Sequence, residues 1–232
     1  MSILADPAVR RRSDSIFFVG MALAILAENI AGFSVAFLRT NIAEELHSTW
    51  VKAHAFAFAL WILLFLAQTI LVASQRRDLH RRLGVCGIAL AGIMIVLTIM
   101  SGIGVFLQSP PRPAIDTFML SVVVHVDMIV FTILVTAGLL HRNHDREIHK
   151  RLMLLATISV GLRFPVVARL SGLNIPHYVD QDLAVLVGIL YDLVVRRRVN
   201  PAYIWGGLVI LTLPPAADHI FRAVVPHLVG VR

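Results

Sequence analysis

Four histidines stand at spacings that suit paired ligation. His80 lies in Arg77-Asp78-Leu79-His80-Arg81-Arg82-Leu83, and His149 in Arg146-Glu147-Ile148-His149-Lys150-Arg151-Leu152. The two stretches share one pattern: arginine, acid, aliphatic, histidine, base, arginine, leucine. A further histidine precedes each copy at a similar interval, His54 before the first and His125 before the second. A neutral imidazole is a nitrogen ligand, and two on facing helices can hold a haem iron or a metal ion between them. The expected pairs are His54 with His125 and His80 with His149, at two depths, as a relay across a bilayer would need. His125 is the strongest of the four, because Val122-Val123-Val124-His125-Val126-Asp127 sets it inside an apolar segment. His80 and His149 also suit a plainer role as interfacial residues among arginines that meet lipid headgroups.

A second group could carry charge. Glu28, Asp127 and Arg163 each fall roughly 20 Å from one boundary of their segments, close to a bilayer midplane. An arginine facing two carboxylates lowers the cost of burying all three. The readings are a proton relay, a substrate clamp, a neutral-pH switch or a structural ion pair that fixes helix packing. Asp192, near Arg196, Arg197 and Arg198, is explained by a local salt bridge. The chain has no Cys-x-x-Cys-His haem-attachment sequence, no phosphate-binding loop and no His-Glu-x-x-His, and no metal beyond a haem iron is expected.

The segments that must position these residues are apolar helices. Hydrophobic residues make up 58% of the chain and charged residues 15%, with mean hydropathy +0.81. That is more apolar surface than a water-soluble fold can bury, and several runs are long enough to span a bilayer. The fold class expected is an all-α integral membrane bundle of about seven transmembrane helices. The whole chain, 1–232, reads as one membrane domain. A tail (1–14) leads into it, an internal repeat (53–107 and 117–170) forms a four-helix core from a duplicated two-helix unit, and C-terminal helices (182–232) follow. Pro214-Pro215 should break or kink the last span.

The formal charge of +7 is distributed in short loops between the spans. That is a topology signal and not a nucleic-acid surface. Fourteen Lys and Arg fall on the side of the tail and the two repeated turns, six on the other. The tail and turns are therefore expected in the cytoplasm and the C-terminus in the periplasm, with anionic headgroups as partners of the arginines. Gly84, Gly87, Gly92, Gly102 and Gly104 allow close helix approach. Trp61 shares a helix face with His54, in a core-packing role.

Read as a string, the chain resembles a widespread family of uncharacterised bacterial multi-pass inner-membrane proteins. The resemblance is carried by His54-Ala55-Phe56-Ala57-Phe58-Ala59-Leu60-Trp61, Leu79-His80-Arg81-Arg82-Leu83-Gly84, His149-Lys150-Arg151-Leu152-Met153-Leu154-Leu155-Ala156-Thr157 and Pro201-Ala202-Tyr203-Ile204-Trp205-Gly206-Gly207. Where relatives often carry a second histidine, this chain has Lys52. The arrangement of one histidine on each of four helices is also similar to the ascorbate-reducible diheme transmembrane cytochromes b. That similarity implies haem b on His54 with His125 and on His80 with His149. The leading expectation is a haem-binding or quinone-linked redox protein, with a quinone or another redox carrier as partner. The alternatives are a proton-coupled transporter using Glu28, Asp127, Arg163 and His125, and an accessory or assembly subunit without chemistry of its own.

Overall fold

The structure is a computed structural model and describes residues 7–39, 49–108, 115–162 and 178–229. Seven helices account for nearly all of these: α1 (Pro7–Arg39), α2 (Thr49–Ala73), α3 (Arg77–Gln108), α4 (Ile115–His141), α5 (Arg146–Gly161), α6 (Val179–Arg196) and α7 (Pro201–Val229). No strand occurs among the described residues. Among the described residues, five stretches are long and apolar enough to cross a membrane: Ala8–Ser34, Thr49–Ala73, Arg77–Ile103, Val124–His141 and Pro201–Phe221. The chain is a multi-pass membrane protein on that composition. Isoleucine, leucine and valine side chains are exposed along α1, α2, α3, α4, α6 and α7, as lipid contact requires.

The two repeated stretches open helices after tight reversals. Between α2 and α3, Gln75 adopts φ 60, and the Arg76 N–H donates to the Leu71 carbonyl at 2.8 Å. That is a left-handed cap on a residue other than glycine. Between α4 and α5, Asp145 caps the new helix, its carboxylate accepting from the N–H groups of Glu147 (2.8 Å) and Ile148 (3.0 Å). These reversals make α2–α3 and α4–α5 antiparallel hairpins. α3 packs on α4 and α2 on α5, so the four helices close into a ring.

The two hairpins occupy different surroundings. α5 also touches α1, α6 and α7, and every residue from Leu154 to Gly161 is buried, with Arg151 and Leu152 below them. A helix covered on all sides has no lipid face and no need of one. This explains why α5 tolerates Arg151, Thr157 and Ser159 in its core. Its polar groups are met locally. Trp61 of α2 donates to the Thr157 hydroxyl at 3.3 Å and packs edge-on against Phe131 of α4, with ring centroids 4.8 Å apart. Gln181 of α6 donates to the carbonyls of Ser159 (3.1 Å) and Leu162 (3.2 Å), and Asn29 of α1 to that of Gly161 (2.5 Å). Those carbonyls lie where the helix ends and has no internal donors for them. Of the break or kink expected at Pro214-Pro215, the break does not occur: α7 runs through both prolines to Val229.

Candidate functional site

At the end of the bundle where α3 and α5 begin, His80 and His149 lie close enough for a charge on one to act on the other. Gly138 makes the position of His149 possible. A Cβ there would meet Met153 Sδ at 3.1 Å and Leu152 at 3.4 Å, so glycine lets α4 and α5 approach closely. The Gly138 carbonyl then accepts the His149 Nδ1–H at 2.7 Å. This bond fixes the tautomer and leaves Nε2 with its lone pair, the usual preparation of a ligating histidine. Burial holds the His149 imidazole below its ordinary range, the Arg142 charge adds to this, and the Gly138 carbonyl opposes it. His80 lies against the backbone of Gln68 on α2. Its Nδ1 and the Gln68 Oε1 are buried without a hydrogen-bond partner.

The other pair converges on one face of α3. His54 Nδ1 is 3.4 Å from the Thr98 hydroxyl, and its ring lies 4.2 Å from that of Phe58. The Thr98 hydroxyl donates to the Met94 carbonyl at 2.8 Å, so towards His54 it accepts. One turn further along α3, His125 lays its Cε1–Nε2 edge on Gly102, where a Cβ would stand 2.4 Å from Cε1 and 2.7 Å from Nε2. A porphyrin bound through Nε2 needs space on that edge, and α3 fills it.

A haem asks for two imidazoles with available nitrogens and room beside small residues. His80 and His149 meet the first half of this test: one has a buried ring nitrogen without a hydrogen-bond partner and the other an anchored tautomer. Space beside them is offered by Gly84 on α3, whereas Gly138 on α4 is packed against Met153 and Leu152. His54 and His125 in this arrangement do not meet the test. Among the described residues no group of three or more His, Cys, Asp or Glu is placed to hold a metal ion.

Asp127 is fully buried on α4. Glu28 on α1 is half-buried and accepts from Asn29 at 3.4 Å. Arg163 lies outside the described residues, and with it the third member of the expected cluster.

Sequence reasoning missed a dense ion network beside the His80–His149 end. The Arg151 guanidinium, fully buried, grips Asp192 with two nitrogens: Nε donates to Oδ2 at 2.9 Å, and Nη2 bonds Oδ1. Its Nη1 reaches Glu147 at 2.8 Å. Lys150 joins Asp14 (2.5 Å) to Glu147 (2.8 Å), and Arg196 reaches Asp14 and Glu147, both at 2.6 Å. Tyr191 donates to Asp14 at 2.6 Å. The local pair expected for Asp192 is the weaker contact, with Arg196 at 3.8 Å. Its main partner is Arg151, from the repeated motif and a different helix. Two guanidiniums and an ammonium hold the Glu147 carboxyl below the usual carboxylate range against the opposing effect of burial, which is the largest single influence on it. The signal for the network was the repeat itself, since Glu147, Lys150 and Arg151 all belong to it.

Comparison with family models, with curated proteins and with solved structures returns no match to this chain.

Proposed function

We propose that this is an inner-membrane redox protein that holds haem b between His80 and His149, at a cytoplasmic end of the bundle. The observation that carries the reading is the His149 imidazole, kept neutral by burial and clamped through Nδ1 on Gly138. His80 supports it, from the matching position of the repeat and with a buried ring nitrogen that has no partner. When bound, haem supplies one-electron transfer. The chain's part is to fix the two imidazoles, exclude water from between them and offer cations for the propionates. Arg76, Arg77, Arg81, Arg82, Arg142 and Arg146 are exposed around this end for that purpose. Arg151 is not among them, because Asp192 occupies it. The excess of basic residues supports the cytoplasmic placement.

Reduced-minus-oxidised absorption spectra of the purified protein test the reading. A sharp α-band is expected for the wild type, lost in His80→Ala and His149→Ala and retained in His125→Leu. A colourless wild type made with ample haem supply would overturn it, and so would haem retained in both His80→Ala and His149→Ala. A second reading, a proton-coupled carrier, draws on the complete burial of Asp127. It expects Asp127→Asn to abolish proton-linked uptake in vesicles while haem content is unaffected.

A further inference from the structure

The two copies of the repeat put one pattern to different uses. In the second copy the acid and the last two bases meet partners inside the protein. Glu147 pairs with Lys150 and with Arg151, both at 2.8 Å, and these two bases go on to Asp14 and Asp192. Asp145, just before the motif, caps α5. The first copy has the cations without the anions. Arg76 stands where the second copy has Asp145, and Arg77, Arg81 and Arg82 match Arg146, Lys150 and Arg151. All four arginines are exposed. Asp78, at the place of Glu147, is one methylene shorter. Among the described residues no carboxylate meets any of the four, and their one side-chain hydrogen bond is from Arg77 Nη2 to Gln75 Oε1, at 3.5 Å. Cations set so close repel one another until an anion from outside lies among them.

The surroundings narrow the anion. Val85 and Ile88 follow Arg81 on the same side of α3, and both are exposed, in a stretch apolar enough to span a membrane. An anion on these arginines therefore has an apolar helix face directly beside it. A soluble anion has no use for that face, whereas a lipid covers it with its chains. The choice of base points to phosphate. Lysine would serve as well for topology, yet all four cations are arginine, and the chain's lysines are Lys52 and Lys150 alone. The planar guanidinium binds a phosphate through two parallel hydrogen bonds, where an ammonium is a point charge. We infer that the α2–α3 turn holds the headgroup of an acidic phospholipid, its phosphate among Arg76, Arg77, Arg81 and Arg82 and its acyl chains along Val85 and Ile88. The matching turn of the second copy holds no such lipid, because carboxylates of the protein already engage its bases. Such a site stands apart from the redox reading: two haem propionates would engage only part of the six arginines exposed at this end.

Cys86 provides the probe. It is the chain's one cysteine and is exposed on α3, a turn beyond Arg82. The full chain, labelled there with a bimane fluorophore, is reconstituted into phosphatidylcholine vesicles with a graded fraction of lipid carrying brominated chains. Brominated phosphatidylglycerol is expected to reach half-maximal quenching at a mole fraction at least about tenfold below that of brominated phosphatidylcholine. Two cations, at roughly the energy each contributes near an anionic surface, are enough for that preference, so Arg81→Gln with Arg82→Gln should remove it. Arg142→Gln with Arg146→Gln, at the other turn, should leave it unchanged. A wild type without the preference overturns the inference, and so does a preference kept in the first double variant. A preference lost equally in the second would be attraction to the whole charged end, and it overturns the site too. Excess inorganic phosphate should not relieve the quenching; relief would mean a site for a soluble anion and not for a lipid. Haem is read on the same samples. Haem lost from the Arg81 and Arg82 variant with the lipid preference intact would give these arginines to the propionates and overturn the lipid site. A lipid preference in a colourless protein would sink the redox reading and leave the lipid site standing.

Discussion

Arg151 and Asp192 carry the largest single-residue stake in the fold. Both side chains are fully buried, and taking two charges out of water costs several kcal/mol per ion unless they meet with good geometry. Here the fork is bidentate, and Asp192 Oδ2 also accepts the Asn200 N–H at 3.0 Å. Removing one partner strands the other. Asp192→Ala is expected to destabilise by about 3–5 kcal/mol, seen as a lower midpoint in thermal unfolding of the detergent-solubilised protein. The double change Arg151→Met with Asp192→Leu should recover most of it. If Asp192→Ala unfolds with the wild type, the pair contributes nothing. Protons act at the same end. His149 and Glu147 both have folded values below their ordinary 6.5 and 4.5, so the unfolded chain binds protons more readily than the folded one. The stability these groups contribute is present above those values and is lost as pH falls through and below them. A fall in thermal midpoint is expected to begin below about pH 6.5 and to steepen below about pH 4.5. In His149→Gln the first part should shrink, and an unchanged profile would show that His149 does not contribute to it. This network was only half legible in the sequence. Glu147, Lys150 and Arg151 stood out in the repeat. Their partners Asp14 and Asp192 lie on other helices, and nothing in a single string says which of several arginines turns inward.

Among the elements, α5 shows why an apolar index finds some helices and not others. It is 16 residues long and opens on charged residues, and the five neighbours that cover it carry the lipid-facing hydrophobicity instead. The same covering explains where glycine matters. Gly188 of α6 faces the Tyr203 ring of α7, and a Cβ there would stand 2.5 to 2.7 Å from two ring carbons and the hydroxyl oxygen. Tyr203 is almost fully buried, so the ring has nowhere to retreat. Gly20 of α1 has nothing within 4 Å of the same position. Overpacking typically costs about 1–3 kcal/mol, whereas alanine in an open helical site gains roughly 0.5–1 kcal/mol over glycine. Gly188→Ala should therefore lower the unfolding midpoint, and Gly20→Ala should hold or raise it. Equal effects in both would mean that α6 and α7 do not pack as described. The helix through Pro214-Pro215 teaches the complementary lesson. Proline removes one donor and crowds one turn, but α7 packs on α4, α5 and α6. Tertiary contacts that a sequence does not display can hold such a helix together.

For the molecule as a whole, the network decides which ends lie together. It ties the beginning of α1 (Asp14) to the beginning of α5 (Glu147, Lys150 and Arg151) and the end of α6 (Asp192 and Arg196). His80 brings the beginning of α3 to the same place through His149. These are the segments that the positive-inside count put on one side, and here they meet by contact. The two copies of the repeat then differ in a way that can be measured. Lys150 and Arg151 are engaged inside the bundle, while Arg81 and Arg82 at the matching positions are exposed. If this end faces the cytoplasm, a cysteine at position 81 reacts with a membrane-impermeant maleimide in inverted vesicles and stays unmodified in intact cells. The background carries Cys86→Ser, because Cys86 is itself exposed on α3. A cysteine at Leu152, buried in the core, should stay unmodified in both preparations until the protein is denatured. Labelling at position 81 in intact cells would reverse the orientation. Labelling at position 152 in the native protein would mean that α5 is not the covered centre of the bundle, and the setting argued for His149 would fall with it.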